Sequence, residues 1–177
     1  MITIVPQRPA DAPIIEQLLD DAFEPERRLR PAYSLRGNAA SLDELSFVAR
    51  ADGQLVGTIQ FWPVTIGRTS PALLLGPLAV VEAFRRRGVA AALVGHGLDA
   101  ARDRGHRIVV AIGEAPVFAR FGFVAALDRG LTMPVPVAPS RFLACALTPG
   151  ALDGAGGVLG STVVAGEAPV RTFRRAI

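Results

Sequence analysis

The sequence predicts an α+β fold, with a central, mostly antiparallel mixed sheet and helices on both faces. Three observations lead there. Between residues 45 and 80 three strand-like runs follow one another through short turns, the pattern of an antiparallel meander. The last run, 72–80, is almost continuously apolar, as a strand must be when both faces of its sheet are covered. After it come a helical stretch, 88–104, and a further strand, 107–112; a direct crossover of this kind makes the two strands parallel neighbours. A chain of 177 residues suits one well-cored domain. Its motif-bearing core spans about residues 2–147, and 148–177 form a Gly-rich extension.

Each element has its own local warrant. Residues 2–5 are β-branched and read as a first strand. Asp11 stands where it can cap a helix over 12–23, in which Ile14, Ile15, Leu18, Leu19 and Ala22 keep a 3.6-residue period. Residues 24–38 carry Arg27, Arg28, Arg30 and Arg36 among the breakers Pro25, Pro31 and Gly37. They read as a helical turn plus an irregular loop, with the arginines either a solvated face or arranged around an anionic ligand. Strands at 45–50 and 55–66 flank a Gly-containing turn, and Pro63 inside the second predicts a bulge or an edge position. In the helix at 88–104, Gly95 and Gly97 would each cost an exposed helix ~1 kcal/mol, which points to close approach to the sheet instead. His96 within it reads as structural, and His106 just beyond as exposed. A short helix at 114–120, a strand from 121, a Pro-rich extended loop at 131–139 and a final sheet strand at 141–147 follow. Beyond residue 148, Val158-Leu159 and Thr162-Val163-Val164 are candidates for short strands.

Composition removes several function classes. Half of the residues are hydrophobic and 20% are charged, so the chain folds rather than remaining disordered. No apolar run reaches membrane-spanning length and the N-terminal residues do not read as a secretory signal, so the expectation is a cytoplasmic protein with no membrane partner. The single cysteine, Cys145, excludes an intrachain disulfide and a Cys-rich metal site, and it reads as a small core residue. All 19 basic residues are arginine, but the net charge is only +3 and aromatic residues make up only 6% of the chain. That balance does not call for nucleic acid as a partner.

The stretch around which the chain is organised is 73–104. A buried strand runs into Arg85-Arg86-Arg87-Gly88-Val89-Ala90, which opens a helix. Backbone donors at a helix start, next to cations, hold a polyphosphate. A Walker loop is excluded because the chain has no lysine, and the three-glycine dinucleotide fingerprint is missing.

Arg85-x-x-Gly88-x-Ala90 instead resembles the signature of the GNAT superfamily of N-acetyltransferases. Leu75-Gly76-Pro77-Leu78-Ala79-Val80 looks like that family's fourth strand. Phe118-Ala119-Arg120-Phe121-Gly122-Phe123 is similar to an element of a bacterial subgroup of predicted members, and Leu147-Thr148-Pro149-Gly150-Ala151-Leu152-Asp153-Gly154 also looks like that subgroup. The resemblance covers about residues 1–157.

It implies a GNAT-like fold with one splayed parallel strand pair, and acetyl-CoA as co-substrate with no metal. Main-chain contacts to the pantetheine arm would fall to Leu78, Ala79 and Val80, and pyrophosphate contacts to the amides of Arg86 through Ala90, aided by the side chains of Arg85, Arg86 and Arg87. Phe118 and Phe121 complete the expected cofactor contacts. The implied reaction is direct acetyl transfer to the amine of a small molecule, peptide or protein. The backbone N–H of Ala79 or Val80 is the candidate oxyanion donor. Glu114 is the nearest acidic candidate for a base, with a helix-capping carboxylate as the alternative; Glu44 and Glu82 are weaker candidates. The family's Tyr acid corresponds here to Phe118, so a non-catalytic acyl-CoA-binding module on the same fold is the competing expectation. Tyr33 and Trp62 either line the acceptor site or simply pack. A homodimer is compatible with the sequence.

Overall fold

The computed structural model describes residues 1–23 and 25–162. β1 (Ile2–Pro6), β2 (Phe47–Ala51), β3 (Gln54–Ile66) and β4 (Ser70–Val80) form an antiparallel run. The sheet continues through β5 (Ile108–Ile112), β8 (Phe142–Ala146) and β6 (Val124–Ala125), in the order β1-β2-β3-β4-β5-β8-β6. β4 and β5 are parallel, as the crossover predicted, with Leu73, Leu74 and Leu75 opposite Val109, Val110 and Ala111. A second, two-residue parallel pairing joins β7 (Leu131–Thr132) to β9 (Gly157–Ser161).

Alternation along the strands sorts the core into two faces. Leu73 and Leu75 pack with α3 (Val89–Asp103), whereas Ala72 and Leu74 point to the face that carries Leu35 of α2 (Pro31–Arg36). Val48 and Ala79 meet α1 (Ala12–Phe23) on the side away from α3. β4 is therefore covered on both faces, which is why it is apolar throughout. Gly97 brings α3 close to the sheet: a Cβ there would lie 2.6 Å from the Phe61 ring.

β4 contains one more residue than its partner needs. Ile59 pairs with Leu78 and Phe61 with Leu75, so Gly76 and Pro77 together oppose Gln60. Such a bulge shifts the side-chain phase by one residue, which explains why Leu75 and Val80 share the α3 face. Gly76 takes φ +127°, a region that favours glycine. Pairing of β4 with β5 stops at Leu75 and Ala111, just before the bulge, and the strands part from there.

Several expectations need correction. Asp11 does not cap α1 forward. It lies at the end of a preceding 3-10 turn, accepts from the Arg8 N–H at 2.9 Å, and pairs with Arg50 at 2.5 Å. Pro63 is tolerated for an edge reason rather than a bulge of its own, since it falls between the stretch of β3 paired to β2 and the stretch, from Val64, paired to β9. Residue 147 does not bound the sheet, because β9 from the Gly-rich extension pairs with β3. The strand considered at 162–164 lies largely outside the described residues. His96 is exposed, its ring edge-on to Phe47 at 4.6 Å, and His106 is half-buried. Cys145 is buried as expected.

Gly97→Ala is expected to cost about 1–3 kcal/mol, because the sheet-facing gap is already filled by the Phe61 ring. Urea denaturation with an unchanged m-value checks this.

Candidate functional site

The parting of β4 from β5 leaves main-chain groups without a strand partner. Residues of an antiparallel ladder alternate between turning their N–H and C=O toward the partner strand and away from it. The Val81 N–H donates to Val56 O at 2.9 Å, which sets the phase. Ala79, opposite Thr58, is therefore engaged with β3, while Leu78 and Val80 present their main chain to the gap. This corrects the expectation for Ala79. Of the gap-facing groups, the Val80 carbonyl accepts from Arg85 Nε at 3.2 Å. Part of Arg85 thus ties the loop to the strand.

At one end of the gap lies a cavity of about 320 Å³ at the start of α3. Gly88, the N-cap, has φ 82°, and no side chain caps the helix. The first intrahelical bond runs from the Ala92 N–H to Gly88 O at 2.9 Å, so the N–H groups of Val89, Ala90 and Ala91 precede any intrahelical acceptor. Arg86 also adopts a left-handed backbone, at φ 60°. Arg85, Arg86, Gly88, Val89 and Ala90 line this cavity together with Val80, and Arg120 adds a cation that sequence reading missed. Arg87 is not among the lining residues; its guanidinium stands 5.5 Å from the Phe84 ring centroid.

At the other end is a second cavity, of about 310 Å³, mostly apolar, with Leu78, Glu114 and Phe118 in its wall. Val117 borders both cavities. Phe118 is buried against Gly113, where an added Cβ would sit 2.6 Å from its ring, and its centroid lies 5.2 Å from that of Phe123. Phe121 lines neither cavity and packs instead toward Gly95 of α3, contrary to its expected cofactor contact. Glu114 occupies the N-cap position of α4 (Ala115–Phe118) without capping it. Its carboxylate pairs with Arg141 at 3.0 Å. Glu44 and Glu82 line neither cavity.

The remaining wall comes from the segment between α1 and β2, and here the solvated-face reading fails for two arginines. Arg27 is only 2% exposed and Arg36 6%. Arg27 donates to Glu16 at 2.5 Å and to Asp20 at 2.9 Å, both on α1, and to the Tyr33 hydroxyl. Burial works against its charge, but these partners outweigh it and raise its pKa. Arg36 stands 4.0 Å from the Tyr33 ring centroid and 4.7 Å from that of Trp62, and burial lowers its pKa. Trp62 in turn donates from Nε1 to the Gly76 carbonyl at 2.7 Å, at the bulge. Tyr33, the single tyrosine, thereby enters the same cavity as Phe118.

This geometry can hold an elongated ligand with an anionic head at the α3 start and a body along β4, leaving its far end in the second, largely apolar chamber. Among the described residues no group of His, Cys, Asp and Glu is placed to hold a metal, and no helix is long and apolar enough to cross a membrane.

Comparison with known proteins bears on this arrangement. The model of the acetyltransferase (GNAT) family matches residues 12–123. The chain is 35% identical over 153 residues to the uncharacterized N-acetyltransferase YhbS of Escherichia coli K12, covering 85% of this chain and 90% of that one. The crystal structure of YhbS from Escherichia coli in complex with CoA superposes with a TM-score of 0.76 at 32% identity, over 91% of this chain and 88% of that one. A GNAT family acetyltransferase from Brucella melitensis, in complex with acetyl-CoA, gives 0.62 at 31% identity, over 84% and 90%. The expected α+β, GNAT-like architecture is thus borne out.

Arg27→Met is expected to destabilise the protein by about 1–3 kcal/mol, since it strips the Tyr33 hydroxyl and two carboxylates of one shared donor. Arg27→Lys should recover less than half of that loss, because an ammonium cannot span all three partners. Denaturant melts of the three proteins check the ranking.

Proposed function

Because the chain belongs to the GNAT acetyltransferase family, we propose that it transfers an acetyl group directly from acetyl-CoA to the amine of an acceptor. The observation that carries this reading is the gap between β4 and β5, with an open helix N-terminus at one end and a largely apolar cavity at the other. The amides of Val89, Ala90 and Ala91, with Arg85, Arg86 and Arg120, would take the pyrophosphate. The pantetheine arm would lie against the gap-facing main chain of Leu78 and Val80 as an added strand does, with the Val80 carbonyl shared with Arg85.

The thioester would then reach the chamber at Leu78. The Leu78 N–H is the best-placed oxyanion donor, since the ladder phase turns it away from β3 and it borders the chamber. A neutral amine attacks the thioester carbonyl, the tetrahedral oxyanion collapses, and the C–S bond breaks with the electron pair leaving on sulfur. Glu114, in the chamber wall, would take up the proton that the nitrogen gives up as the amide forms, directly or through water. A thiol with a pKa of about 8.5 leaves as thiolate without a dedicated acid, so Phe118 does not forbid turnover.

Phe118 also favours a second reading, an acyl-CoA-binding module with little or no catalysis. We take the domain to be one unit over 1–177, acting in the cytoplasm.

Titration calorimetry should show acetyl-CoA binding, and acceptor amines should release free CoA. Gly88→Ala, which strains a backbone at φ 82°, should weaken acetyl-CoA binding about tenfold, or ~1.4 kcal/mol; Arg87→Ala should change it less than threefold. Failure to bind acetyl-CoA would sink both readings. Binding without turnover across a broad amine panel, with turnover appearing in Phe118→Tyr, would select the second.

A further inference from the structure

Arg36 is the one cavity-lining arginine that is buried and forms no ion pair among the described residues. Its Nε is buried and meets no hydrogen-bond acceptor. The aromatic rings of Tyr33 and Trp62 lie against the guanidinium, but contacts with ring faces occupy none of its in-plane N–H donors. None of the nearby carboxylates forms an ion pair with Arg36. Glu16 and Asp20 pair with Arg27, and Glu114 pairs with Arg141. A buried cation without a hydrogen-bonded counterion is costly and persists where a ligand supplies the missing charge.

We propose that the acceptor carries a carboxylate as well as its amine, and that Arg36 binds this carboxylate inside the chamber. The proposal rests on the acetyl-transfer reading and names the class of acceptor. A carboxylate offers two coplanar oxygens, which match the guanidinium fork. The two charged ends of such an acceptor find opposite partners: Arg36 takes the carboxylate, and Glu114 attracts the ammonium before it loses its proton. Trp62 fixes the separation, since its ring supports Arg36 while its N–H holds the Gly76 carbonyl two residues from Leu78. The same chamber is also lined by Phe23, Ala32 and Val117, which suits an apolar body. A chamber of about 310 Å³ fits a molecule of amino-acid size rather than a folded protein surface. The acceptor is therefore an amino carboxylate with an apolar body.

The chain's only tryptophan is Trp62, so indole emission reports directly on this contact. Protein without acetyl-CoA is titrated with matched pairs: phenylalanine against 2-phenylethylamine, 6-aminohexanoate against hexylamine, and O-phosphoethanolamine against ethanolamine. At least one amino carboxylate should give a saturable emission change at a concentration tenfold or more below that of its decarboxylated partner. Arg36→Gln should abolish the response and Arg36→Lys should weaken it. With acetyl-CoA present, CoA release should favour the same carboxylate by about 100-fold in kcat/KM, and Arg36→Gln should raise KM while changing kcat less than threefold.

Equal responses to both members of every pair, silence with every probe, or a preference confined to the phosphate would each overturn the proposal. Should the Arg36 variants fail to fold, the selectivity of the unaltered protein between paired probes decides alone. The two readings fail separately. Emission changes without CoA release leave the carboxylate site standing and remove the transferase. CoA release that ignores the carboxylate does the reverse.

Discussion

One extra residue in β4 governs the layout of the site. Were β4 to run without the bulge at Gly76-Pro77, the ladder to β5 could continue past Leu75 and no gap would open. The bulge ends that ladder, frees the main chain of Leu78 and Val80, and turns the Gly76 carbonyl to the Trp62 indole. It also corrects the side-chain phase, so that Val80 returns to the α3 face and the strand stays buried up to the loop that starts α3. A break in hydrogen bonding at the centre of a sheet is ordinarily unfavourable. Here it is tolerated because β3 still holds the other edge of β4, and because packing covers both faces of the strand.

The two halves of the site differ in how they are encoded, and this decides what could be read from the chain. The donor half is local. Strand, loop and helix follow directly on one another between residues 70 and 103, and apolar periodicity placed them within a few residues. The acceptor half is built from pieces distant in sequence. Arg27 and Arg36 sit among polar residues and prolines, which locally spell an exposed loop. They are buried because α1 supplies Glu16 and Asp20 to one, and because Trp62, from a different strand, covers the other. Such tertiary pairing leaves no period to detect. The β9 strand bears out the Val158-Leu159 candidate but not its place in the sheet: glycine-rich and short, it is held by main-chain pairing to β3 more than by its own propensity. The misreading of Phe121 has a different origin. Its place in a motif suggested a ligand contact, whereas the small residue Gly95 gives its ring a seat on α3.

Charge is arranged with the same division of labour. The arginines at the α3 start are exposed, able to meet a mobile, highly charged ligand at little desolvation cost. In the acceptor wall Arg27 and Arg36 are buried and held by neighbours, whereas Arg30 and Arg141 are exposed. Arg27 serves as a three-way tie between α1 and Tyr33, so the chamber wall is anchored to a helix that packs on the sheet. The acceptor wall is thus tied by buried side chains to the helix beside it, whereas the opposite cavity meets its ligand with exposed cations.

The cations around both cavities are guanidinium groups without exception, because the chain contains no lysine. A reactive thioester held for many turnovers would slowly acylate any neighbouring primary amine. Guanidinium, which keeps its proton at every accessible pH, has no lone pair to offer. Under the proposed chemistry the protein can surround its acyl donor with positive charge without placing a lysine amine beside it. Its own cationic side chains are then not acceptors for the acyl group.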